Sequence, residues 1–148
     1  MTTQPAIEAV LEGMNGAFDG RDGADWFEGL LPTLDGMSSE RASTAPHPGR
    51  STIAAHVRHI VYSLEVTNAR LAGEPLKTDW DAAWRQPTIT PEDWTALQSH
   101  LGFERARLEA RLRAEPKPSS AFLTSAIKHL THLGYHIGAI RQILLEVA

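Results

Sequence analysis

Apolar residues recur at helical spacing through four stretches of the chain, and alternation of apolar with polar positions never persists beyond a few residues. In the first stretch, roughly Pro5 to Phe18, the residues Ile7, Val10, Leu11, Met14 and Phe18 share a face, and Gly20 and Gly23 end it. The second runs from about Ser51 to Ala72 with Ile53, Val57, Ile60, Leu64 and Leu71 as its stripe. Ser51 or Gly49 stands at the position of its N-cap, and Gly73 followed by Pro75 is its stop signal. The third has the sharpest start. Thr90 caps, Pro91 takes the first helical position, and Glu92 and Asp93 suit the positive end of the dipole. Trp94, Leu97, Leu101, Leu108 and Leu112 keep one side of it apolar, while its basic residues alternate with Glu104, Glu109 and Glu115 as on a solvated helix. PKPSS at 116–120 breaks the chain, and a fourth helix is predicted from about Ser120 to Val147 with Leu123, Ile127, Leu130, Leu133, Ile137, Ile140 and Leu144 as its buried row.

The connections differ in character. Between Asp22 and Arg50, the residues Trp26, Phe27, Leu30, Leu31 and Leu34 predict either a short helix or a continuation of the first, and SSERASTAPHPGR reads as loop. The stretch from Glu74 to Ile89 holds Trp80, Trp84 and Pro87, and two large aromatics predict an ordered crossover. With no internal repeat, the expected fold is all-α: a single four-helix-bundle domain over residues 1–148 with a long crossover connection.

Composition narrows the function classes. The 14 Lys and Arg against 18 Asp and Glu leave a formal net charge of -4, which disfavours a phosphate-tracking nucleic-acid binder. Cysteine is absent, so disulfide scaffolds, zinc ribbons and thiol nucleophiles of the chain itself are excluded. No apolar run approaches the roughly 20 residues of a membrane span. The opening MTTQPAIEAVLEGMNG has no basic n-region and carries two glutamates, unlike a secretory signal, so the expected setting is cytoplasmic. There is no Walker A loop, GxGxxG, HExxH or GxSxG.

The seven histidines carry the chemistry. His47 lies in the proline-rich loop and His100 on the third helix off its stripe, but His56 and His59 share the second helix and His129, His132 and His136 the fourth. His132 and His136, four apart, project to the same side and can aim two imidazoles at one ion. A third imidazole from the neighbouring helix makes a facial set with open positions, as in substrate-binding metal sites. The competing reading is a chance HxxxH pair of surface or core histidines.

HLTHLGYHIGAIRQ (129–142) resembles the C-terminal helix of the DinB-like, DNA-damage-inducible metalloprotein superfamily, and STIAAHVRHIVYSLE (51–65) is similar to that family's second helix. The resemblance extends over both helices, the tryptophan-bearing crossover and the overall length. It implies an up-down-down-up four-helix bundle with a divalent ion, often zinc or nickel, at one end. Carried over residue by residue, it implies His132 and His136 as the C-terminal ligand pair and His59, followed by Ile60, as the third ligand, with His56 as the fallback; His129 has no family role. Where many members read His-Arg-Gly-Gln, this chain has His-Ile-Gly-Ala-Ile-Arg-Gln, so the group that steadies the imidazoles is not carried over.

Around this set, Glu65 reads as exposed, Tyr62 and Tyr135 as packed rings or donors to a bound substrate, Trp80 and Trp84 as core or pocket wall, and Arg141 as an anion reader or an ion-pair partner. Relatives implied by the resemblance include transferases and isomerases that use a low-molecular-weight thiol. The leading expectation is therefore a metal-dependent thiol transferase acting on a small molecule, with a metal-dependent hydrolase as its enzymatic variant. A non-catalytic stress-related metal-binding protein is the rival. A homodimer, joined through the first helix's apolar residues and the tryptophans, is the third.

Overall fold

The computed structural model describes residues 4–147, so Met1–Thr3 of the opening stretch lie outside the described residues. The helices are α1 (Pro5–Asp19), α2 (Leu30–Leu34), α3 (Ser39–Ala42), α4 (Ile53–Leu71), α5 (Pro91–Arg113) and α6 (Ser120–Glu146), with a 3-10 turn at Ala83–Arg85 in the crossover. The described residues form no strand beyond an isolated bridge between Asp22 and Asp25. α2 realises the short-helix alternative. α3 lies where loop was expected: the Ser38 hydroxyl accepts the Arg41 N–H, so one turn closes on a local cap.

The four long helices run up, down, down, up. α4 and α5 are parallel, with His100 beside Glu65, Asn68 beside Glu104 and the Arg111 guanidinium donating to the Leu71 carbonyl. α6 is antiparallel to α4, since His56 meets His136 and His59 meets His132. α1 runs antiparallel to α5, with Asp19 against Arg105 and Gln4 against the Pro116 carbonyl. α1 and α6 pack side by side, Gly13 against Leu130.

Caps define the helix ends. Thr90 accepts the Asp93 N–H as expected, and Ser119 accepts that of Phe122. The cap of α4 is Thr52 rather than Ser51 or Gly49: its extended backbone lets Oγ1 accept the Ala55 N–H at 3.1 Å while the hydroxyl donates to the Pro87 carbonyl of the crossover. At the other end Gly73 has φ +76, its N–H reaches the Arg70 carbonyl, and the Glu74 N–H reaches that of Ala69. That pair of bonds is a Schellman stop.

The first helix buries Ile7, Val10, Leu11, Met14 and Phe18, so the apolar residues considered for a dimer surface lie in the core. Of the tryptophans, Trp94 is buried and Trp26 is 96% exposed. The buried face of α6 is rotated from the expected row. It comprises Ala126, His129, Leu133, His136, Ile137, Ile140 and Ile143, whereas Ile127 is 52% exposed and Leu123, Leu130 and Leu144 are only partly covered. Leucines and isoleucines occur around much of α6, so hydropathy leaves its rotation open, and the imidazoles facing α4 settle it. Glu104 also departs from the solvated pattern. It is buried between α4 and α5, where the Asn68 amide donates to its carboxylate at 2.8 Å and to its carbonyl at 3.0 Å, and Arg107 pairs with it. The requirement that a buried carboxylate be paired sets the α4–α5 register.

Replacing Gly73 by Ala puts a Cβ in the left-handed region. A loss of about 1 kcal/mol in unfolding free energy is expected, measured by urea denaturation with an unchanged m-value.

Candidate metal centre

His56 and His59 are three apart on α4, and His132 and His136 are four apart on α6, so each pair points across the same interhelical seam. The Nε2 of His132 lies 3.1 Å from that of His59 and 2.9 Å from that of His136. Two nitrogens bound at about 2.1 Å to one ion are separated by about 3.0 Å at a right angle and about 3.4 Å at the tetrahedral angle. The spacing thus fits one face of a coordination polyhedron. Hydrogen bonding does not account for it, because a neutral imidazole nitrogen has either one proton or one lone pair and the His132 Nε2 faces two neighbours. One ligand atom from each of His59, His132 and His136 converges here, close enough together to hold a metal ion.

His56 stands one step back. Its Nδ1 is 2.9 Å from the Nδ1 of His136, on the opposite side of that ring from the converging Nε2. His129, one turn before His132, is buried with its Nε2 lacking a hydrogen-bond partner among the described residues, as does the Nδ1 of His59.

Burial holds these rings neutral. Desolvation, helped by the neighbouring imidazoles, holds His56 and His129 down at about 4 and His136 at about 3. His59 and His132 are also lowered, chiefly by burial. Neutral imidazoles are the form in which histidine donates a lone pair to a metal.

The crossover builds the wall. Trp84 stacks on His59 with centroids 4.9 Å apart and meets His56 edge-on at 5.0 Å, while Trp80 lies 5.9 Å from His59. These indoles are held by α4 itself. Arg58 donates to the carbonyls of Gln86 and Thr88, both at 2.8 Å, and the Asp79 N–H donates to the Tyr62 hydroxyl at 2.7 Å. Arg85 pairs with Asp79. Tyr135 sets its ring edge-on to His136 at 5.0 Å while remaining 72% exposed. Beside His59 and His132 opens a cavity of about 380 Å³ between α4 and α6, with Trp80 on its rim. A larger one, about 510 Å³, lies along α1 and α6 next to Trp26, away from the histidines.

With this geometry the family question is decided by one match: the DinB superfamily model covers residues 27–140 of the chain. The chain belongs to the DinB superfamily. No curated protein and no solved structure gives a match. As a DinB-superfamily bundle, the chain has the expected topology, and its three histidines can hold a divalent ion.

The remaining candidates have other partners. Arg141 contacts Glu28 at 3.4 Å and Thr33 at 3.2 Å, Glu65 is partly buried against His100 at 2.9 Å, and His47 meets Glu146 at 3.2 Å. Tyr62 supports the crossover. What the sequence reading missed is the structural work of His56 and the placement of His129, which the buried row Ala126–His129–Leu133 on α6 signals once its rotation is known.

Neutral burial has a pH consequence. Below about pH 6.5 the unfolded chain takes up protons that the folded rings refuse, so stability is lost as pH falls from about 6.5 toward 4 and levels off below the folded values. For His129, lowered to about 4, the loss is roughly 3 kcal/mol. Thermal melts of metal-free protein at pH 7.5, 6, 5 and 4.5 are expected to fall steadily, and His129→Leu is expected to flatten that fall.

Proposed function

We propose that this chain is a divalent-metal protein whose ion, zinc or nickel, rests on the Nε2 atoms of His59, His132 and His136, and that it transfers a low-molecular-weight thiol to an electrophilic small molecule. The observation that supports it is the convergence of three neutral imidazole nitrogens at 2.9 and 3.1 Å around His132, a spacing that protons cannot satisfy and a cation can. Three uncharged ligands leave the ion's charge unbalanced and positions open, so the bound ion supplies a Lewis-acidic centre that favours a thiolate or hydroxide.

The protein's own groups have defined tasks in this reading. With the Nε2 of His136 facing the ion, its Nδ1 carries the proton and donates to the Nδ1 of His56, which fixes the tautomer and the ring plane. Trp84 covers the imidazoles and limits water at the ligand rings. Trp80 and the cavity beside His59 and His132 leave one side open for a substrate. A cytoplasmic setting, where small thiols are kept reduced, belongs to the same proposal.

Metal analysis of tag-free protein is expected to give one Zn²⁺ or Ni²⁺ per chain, and His132→Ala is expected to abolish tight binding. His56→Leu is expected to keep the stoichiometry while weakening affinity by about 10- to 100-fold, measured by competition with a chromophoric chelator. Retention of wild-type affinity by His132→Ala would overturn the ligand assignment. If metal binds but no thiol perturbs the visible spectrum of a Co²⁺-substituted protein, the non-catalytic binding role replaces the transferase; turnover with water as nucleophile points to the hydrolase instead.

A further inference from the structure

The cavity of about 380 Å³ beside His59 and His132 has a charged lining that the metal centre does not use. Arg70, near the end of α4, and Lys128, one turn before His132, both border it. Arg85, Arg105, Arg107, Arg111 and Arg141 each sit in an ion pair, whereas Arg70 and Lys128 are in none among the described residues. Two cations that approach one concavity without a carboxylate between them create a local positive potential.

A second observation is independent of these charges. His129 lies on the wall of the same cavity, is 5% exposed, and has an Nε2 with no hydrogen-bond partner among the described residues. A buried polar atom left unpaired costs stability. Trp80 adds an apolar rim.

The layout also sets a length. Arg70 lies eleven positions beyond His59 on α4, about 16 Å of helix, although helical side chains lean toward the N-terminus and so bring the guanidinium back toward the histidines. A ligand that reaches both ends must be several bonds longer than a bare thiol.

We propose that this cavity is the specificity pocket of the centre and selects an elongated small molecule that carries a carboxylate or phosphate, its anionic group between Arg70 and Lys128 and its other end at the His59–His132 wall. The forked guanidinium matches either anion. This inference rests on the metal reading above for the role of the His59–His132 end, but the anion end can be tested without it.

The test titrates the zinc-loaded full chain with 6-mercaptohexanoate and with 6-mercaptohexanol, followed by tryptophan fluorescence and calorimetry. The acid is expected to bind about tenfold more tightly than the alcohol, with an advantage that shrinks as salt is raised. The double variant Arg70→Gln, Lys128→Gln is expected to erase that difference and keep the wild-type zinc stoichiometry, since both residues are exposed and outside the ligand set. Equal affinities for the two thiols, or a preference that survives in the double variant, would overturn the proposal. Hexanoate and hexyl phosphate titrated into metal-free protein read the anion end alone and rank the two anions. A tenfold loss in the double variant supports the pocket even if zinc binding fails, and no loss rejects it even if zinc binds.

Discussion

The four imidazoles of His56, His59, His132 and His136 are packed into one seam between α4 and α6, and much of the rest of the fold serves that arrangement. Their nitrogens approach one another to about hydrogen-bond distance in surroundings where a charged ring is disfavoured. Such a cluster persists only while the rings stay neutral, and protons alone do not match the nitrogens that converge on His132. That requirement fixes the antiparallel register of α4 against α6, because a shift of one residue rotates a helix position by about 100° and separates the rings. It also explains why α6 turns its histidine-bearing side inward and leaves Ile127 in solvent.

The crossover is the second consequence. α4 and α5 are parallel, so the chain must return along α4, about 28 Å of helix, before α5 can begin. Its course is set by Thr52, Arg58 and Tyr62, all on or just before α4, which bind its backbone at Pro87, at Gln86 and Thr88, and at Asp79. A connection demanded by topology thereby becomes the aromatic wall of the centre, with Trp84 against two of the imidazoles and Trp80 at the cavity. The same economy appears at Glu104, whose buried carboxylate ties α4 to α5 through Asn68 and Arg107.

Much of this was legible before any coordinates. The four long helices, the Thr90 cap, the Gly73 stop and the pairing of His132 with His136 follow from local rules: 3.6-residue periodicity, side-chain capping and the projection of residues four apart; His59 as their partner followed from the family resemblance. The misses share a cause. Thr52 over Ser51 as cap, Glu104 in the interior and the rotation of α6 each depend on what another segment presents, such as the Pro87 carbonyl or the Asn68 amide.

The sequence alone therefore determined which four long segments are helical and which residue types can bind a cation, because both depend on neighbours within about one turn of the chain. Only the tertiary structure decided which nitrogens meet, that His56 backs His136 rather than joining the converging set, and that Arg70, Lys128 and His129 share a cavity. Those relations are set by helix register and rotation, which arise from packing between segments some 70 residues apart in the chain and leave no trace in local spacing.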